Sequence, residues 1–136
     1  MDKQKIILIE DEVFIHELYE KALTKAGYTV LGAYDGKEGL RLVREHTDSA
    51  LVLLDVMLPK MHGIDVLHSI KSDEKTKGVQ VVLLSNLGDE GIIREALGHG
   101  ARDYLKKVNM VPKDLVLMVQ KYLSDSQYAS NVVTRS

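Results

Sequence analysis

Asp55 closes the apolar run Ala50-Leu51-Val52-Leu53-Leu54, and Glu10-Asp11-Glu12 closes another, Ile6-Ile7-Leu8-Ile9. Short unbroken apolar runs suit strands covered on both faces. An ionised carboxylate inside such a strand would be costly, so each acid belongs at a strand's carboxyl end, near water or a cation. Two further stretches end on groups of complementary chemistry: Val79 to Leu84 on Ser85, and Ala101 to Leu105 on Lys106. Crowded together, Glu10, Asp11 and Asp55 would repel and raise a pKa unless a cation sat among them. Oxygen ligands with no His or Cys beside them select a hard divalent ion, with Mg2+ the natural choice. The chemistry this permits is phosphoryl transfer to a carboxylate. Asp55 would be the nucleophile and form an aspartyl phosphate. Mg2+ held by Glu10, Asp11 and Asp55 would neutralise the incoming oxygens, with Lys106 stabilising the charge from the opposite side. Ser85 could donate its hydroxyl to a phosphoryl oxygen.

For these residues to meet, the strands must run parallel with their carboxyl ends on one edge. After Glu12 the apolar period lengthens: Phe14, Ile15, Leu18, Tyr19, Ala22, Leu23 and Ala26 fall on one helical face, and Gly27 is placed to be its left-handed stop. Thr29 to Tyr34 is a second strand, followed by the turn pair Asp35-Gly36. Leu40, Leu42 and Val43 mark a short helix ending near His46. Beyond Asp55, Pro59 cannot continue a ladder, and Gly63 allows a sharp turn into a helix spaced by Ile64, Leu67 and Ile70. A polar loop from Ser72 to Gly78 precedes the fourth strand. Ile92, Ile93, Ala96 and Leu97 form the fourth helix's apolar face, which should end at Gly98 and Gly100. Pro112 suits the first turn of a last helix carried by Leu115, Met118, Val119, Tyr122 and Leu123.

Strand and helix thus alternate through five units. The pattern predicts an α/β fold: a doubly wound, five-stranded parallel sheet of flavodoxin-like (βα)5 type, in the order 2-1-3-4-5. Its switch point lies between strands one and three, which brings Glu10 and Asp11 beside Asp55. Residues 1–123 form the domain, and residues 124–136, polar and small, are read as a flexible C-terminal tail or linker stub.

Composition narrows the classes. Eighteen Lys+Arg stand against 20 Asp+Glu in 136 residues, a net charge of −2. That argues against a nucleic-acid surface spread over the whole domain, though not against a local basic patch, and no nucleic acid is expected through this domain itself. With no Cys, disulfides and thiolate metal sites are excluded. No apolar run approaches the roughly 20 residues that span a bilayer, so no membrane association and a cytoplasmic location are expected. The histidines at 16, 46, 62, 68 and 99 fall in different helices and loops and are read as solvated surface.

The set Glu10-Asp11, Asp55 with Met57, Pro59 and Gly63, Ser85, and Asp103-Tyr104-Leu105-Lys106 resembles the receiver domains of bacterial response regulators, over about residues 5 to 123. The resemblance implies a phosphoryl group taken from a histidine kinase, a histidine phosphotransfer protein or a small acyl phosphate onto Asp55. It implies that the Met57 backbone carbonyl completes the Mg2+ shell, and that Ser85 and Tyr104 form a switch pair. A downstream protein partner would be met through the face built by the fourth helix, fifth strand and fifth helix. The chain would be a monomer or a weak phosphorylation-dependent dimer, and no enzyme beyond its own phosphorylation and autodephosphorylation. It would be either a stand-alone receiver or part of a larger regulator.

Two positions depart from the family's pattern. Asn86 follows Ser85 where a small residue is usual, and Lys107 follows Lys106 where proline is usual. Without proline the Lys106–Lys107 bond is expected to be trans, since a cis bond before an ordinary residue costs ~2.5–4 kcal/mol. Lys106 is still expected to reach Asp55. The competing readings are a flavodoxin-like cofactor binder and a phosphohydrolase with an aspartate nucleophile. Glu10-Asp11-Glu12 would repel a cofactor phosphate, and no insertion is large enough for a substrate cap.

Overall fold

Each interior strand carries an unbroken run of four apolar residues with its polar residue at one end, and the architecture shows why. The computed structural model describes residues 3–86 and 90–131, with residues 125–131 as backbone only. Among these, five strands alternate with five helices: β1 (Lys5–Ile9), α1 (Val13–Lys25), β2 (Thr29–Ala33), α2 (Gly36–Glu45), β3 (Leu51–Asp55), α3 (Gly63–Ser72), β4 (Val81–Ser85), α4 (Glu90–Gly98), β5 (Asp103–Lys106) and α5 (Pro112–Asn131). The strands pair in parallel in the order β2-β1-β3-β4-β5, as the alternation predicts. No described helix is long and apolar enough to cross a membrane.

Side chains alternate across a strand, so the sheet divides its apolar residues between two layers. On one side Ile7, Ile9, Val52, Leu54, Val81 and Leu83 pack against α2, α3 and Ala96 of α4. On the other, Ile6, Leu8, Leu51, Leu53, Val82 and Leu84 pack against Tyr19 and Leu23 of α1 and Leu115, Val119 and Tyr122 of α5. β3 and β4 are buried along their whole length, whereas β2, at the edge, is partly open. Each interior strand needs two apolar faces, which accounts for the unbroken runs.

Several local readings need revision. Asp35 does not make a free turn: its Oδ1 accepts the Glu38 N–H at 2.8 Å and caps α2. Gly27 is left-handed as expected, at φ 106. Gly63 serves close approach instead of turn geometry, because a Cβ there would lie 2.4 Å from the Asp55 carbonyl oxygen and 2.6 Å from that of Val56. On α1, Phe14 and Leu18 are exposed and His16 is fully buried. The His16 Nδ1 lies 2.8 Å from the Glu10 carbonyl oxygen, and its ring stacks on Tyr34 at 4.0 Å. Gly32 leaves the room for it, since a Cβ there would fall 2.5 Å from Nε2. His62 is also not idle surface: its Nδ1 accepts the Ile64 N–H at the start of α3. The backbone of α5 continues to Asn131, so the stretch read as a tail from Ser124 begins as helix. Residues 132–136 of that stretch lie outside the described residues.

The Gly63 contact carries a direct test. Gly63→Ala forces backbone atoms of β3 and α3 apart just beneath Asp55. It should cost about 1–3 kcal/mol, the usual range for overpacking. Urea unfolding measures it, and a midpoint equal to wild type would contradict the close-approach role.

Candidate functional site

Three strands reach the carboxyl edge with a leucine two residues before a charged group: Leu8 before Glu10, Leu53 before Asp55, Leu105 before Lys107. Residues two apart in a strand share a face. All three leucines belong to, or pack on, the layer under α1 and α5. Glu10, Asp55 and Lys107 therefore emerge on that same side and meet. Lys106 falls on the opposite face with Tyr104, where both are exposed and line a groove with Ile93, Arg94 and Leu97 of α4. The expectation that Lys106 reaches Asp55 is corrected: Lys107 does. The Lys106–Lys107 bond is trans, as no cis bond occurs among the described residues. That bond does not decide the matter, because side-chain alternation does.

The Lys107 ammonium stands 3.0 Å from Glu10 Oε1, 2.9 Å from Asp55 Oδ2 and 2.8 Å from Glu12 Oε1. Its backbone N–H donates to the Ser85 carbonyl at 2.8 Å, carrying the β4–β5 ladder one residue past β5. Asp55 is only 2% exposed, and its Oδ1 accepts the Met57 N–H at 3.0 Å. Glu10 is fully buried, and its Oε2 accepts the Glu12 N–H at 3.0 Å. Ser85 is buried beside the site, its hydroxyl making a long bond of 3.4 Å to the Leu105 carbonyl. Sequence reasoning missed Lys107 and Glu12. The signal for Lys107 was present in the leucine at position 105, which places residue 107 on the acid side.

Oxygens of Glu10, Asp11 and Asp55 lie within 4.8 Å of one another. Burial, then the Asp55 charge, push the Glu10 carboxyl up to about 7 from 4.5, against the bonds from Glu12 N–H and Lys107. For Lys107, burial favours the neutral amine, but the bonds and charges of Glu12, Asp55 and Glu10 outweigh it and hold the ammonium above its ordinary pKa. One ammonium thus faces four carboxylates, those of Glu10, Asp11, Glu12 and Asp55. The unbalanced negative charge and the all-oxygen donor set fit a hard divalent cation such as Mg2+.

The chain is similar to known proteins along most of its length. A family model described as "Response regulator receiver domain" matches residues 6–120. A "Probable transcriptional regulator ycf27" from Porphyridium aerugineum is 36% identical over 132 residues, covering 96% of this chain and 52% of its own. The "Uncharacterized transcriptional regulatory protein YcbL" of Bacillus subtilis (strain 168) is 41% identical over 103 residues, covering 74% of this chain and 43% of its own. The chain spans about half the length of the curated relatives it matches. Among solved structures, a response regulator receiver domain protein from Clostridium thermocellum superposes with a TM-score of 0.82 at 30% identity, covering 92% of this chain and 98% of that one.

The raised Glu10 pKa sets a pH dependence in the metal-free protein. A carboxyl near 7 in the fold and 4.5 in the open chain binds its proton more tightly when folded. Its contribution to stability is full below 4.5 and is lost as pH rises through about 7. In EDTA, wild type should lose on the order of 3 kcal/mol more than Glu10→Gln between pH 4.5 and 7.5. Urea unfolding at the two pH values checks it, and parallel losses in the two proteins would contradict it.

Proposed function

The chain belongs to the response regulator receiver domain family, and on that footing we propose that it takes a phosphoryl group onto Asp55 from a histidine kinase. A histidine phosphotransfer protein or a small acyl phosphate would serve as donor by the same chemistry. The observation that carries the reading is the setting of Asp55: buried, at the sheet's switch point, with one oxygen held by the Met57 N–H and the other by the Lys107 ammonium. A carboxylate oxygen of Asp55 attacks phosphorus as the P–N bond of the phosphohistidine breaks, and the bonding pair returns to the imidazole. Lys107, kept charged by its carboxylate neighbours, stabilises the charge that develops on the phosphoryl oxygens. This role passes to Lys107 from Lys106.

Glu10, Asp11 and Asp55, with the Met57 carbonyl, would hold Mg2+. Bound there, the ion would neutralise the phosphoryl oxygens and replace the proton of Glu10. Ser85 is suited to the incoming group because the 3.4 Å bond of its hydroxyl is weak and readily exchanged. Ser85 and Tyr104 border the α4-β5-α5 face, which supports a two-state shift of that face as the signal to a downstream protein. Relatives described as transcriptional regulators are about twice this length, which supports an output carried by a further domain or a separate partner.

Two measurements test this reading. On incubation with acetyl phosphate, labelling should vanish in Asp55→Asn and in EDTA. It should fall at least tenfold in Lys107→Ala and stay within twofold of wild type in Lys106→Ala. Strong labelling of Asp55→Asn, or a larger loss in Lys106→Ala than in Lys107→Ala, would overturn the assignment. On beryllofluoride addition, amide shifts should concentrate in residues 85–110. A response confined to residues 55–63 would contradict the switching face.

A further inference from the structure

We propose that Glu12 is a positioning residue for phosphoryl transfer: its carboxylate parks the Lys107 ammonium at the pocket rim and yields it when a phosphoryl group enters. The inference rests on the acceptor role proposed for Asp55. Glu12 stands at the N-cap of α1, where a side chain ordinarily accepts a helix N–H. It makes no such bond and instead reaches 2.8 Å from Lys107 Nζ, at the end of the fifth strand. An ammonium has three hydrogens, and Glu10, Glu12 and Asp55 take all three. A phosphoryl oxygen that binds Lys107 must therefore displace one carboxylate.

Burial decides which one. The Glu10 and Asp55 side chains are 0% and 2% exposed, so water cannot take the ammonium's place beside either. The Glu12 side chain is 49% exposed, so water replaces the ammonium as it lets go. Glu12 is then a competitor for Lys107 that the phosphoryl group must outbid, and it recaptures the lysine when the phosphoryl group is lost. It slows entry into the phosphorylated state and hastens departure from it.

Acetyl phosphate labelling of Glu12→Ala and Glu12→Asp, followed with time, tests the idea. Asp at 12 keeps the charge but is one methylene too short for the contact. Both variants should label two- to tenfold faster than wild type and lose the label more slowly. The Lys107 15Nζ resonance of the unphosphorylated protein should shift in both variants. A gain in Glu12→Ala alone would mean that only the rim's negative charge repels the anionic donor, and would overturn the proposal. Slower labelling, or rates and a Lys107 resonance equal to wild type, would overturn it as well. Asp55→Asn in each background separates the two levels: label that persists there overturns the acceptor reading itself, whereas label lost there with Glu12 variants unchanged overturns only the role of Glu12.

Discussion

A single ammonium holds the carboxyl edge of this sheet together. Glu10 and Asp55 leave adjacent strands on the same face, both shut away from water, and two buried like charges at that range would drive the strands apart or force a proton on. Lys107 sits between them, with Glu12 closing its third donor. The balance is incomplete, as the raised Glu10 carboxyl records. A site with one ammonium against four carboxylates, whose free donors are all oxygens, is predisposed to a divalent cation. The fold supports this instability with backbone: the Met57 N–H fixes Asp55, the Glu12 N–H fixes Glu10, and Gly63 lets α3 start against the end of β3.

Much of this was legible from the order of the residues. Apolar runs that stop on acids identified β1 and β3 and their carboxyl ends, and five alternations of period identified the parallel sheet and its order. The lysine was misplaced by one residue because matching a motif along the chain ignores which way side chains face. Leu105 and Lys107 share a face while Lys106 takes the other, and a shift of one residue in a strand reverses every side chain. His16 could not be read as buried, since nothing in helical periodicity says that Gly32 leaves a space across from it. Asp35 looked like a turn because an N-cap and a turn draw on the same residues for the same reason, a short side chain that accepts a nearby N–H. The extent of α5 past Ser124 was hidden by polar composition, because helical period is read from the spacing of apolar residues.

The same alternation that misled the reading of the lysine is what the proposed signal depends on. Over residues 104–107, the end of β5 and the residue after it present Tyr104 and Lys106 to the α4 side and Leu105 and Lys107 to the α1 and α5 side. Ser85 lies between these compartments: its carbonyl accepts the Lys107 N–H, and its hydroxyl rests on the Leu105 carbonyl. Any movement of Lys107 toward a phosphoryl oxygen pulls on a backbone whose next residue, Lys106, already belongs to the opposite face. Packed layers settle into discrete arrangements and resist continuous deformation, so under the proposed switch such a pull would be relayed as a change of rotamer or a shift of α4. Acid pocket and α4-side groove are thus separated by the thickness of one strand, and the bonds of Ser85 lie between them.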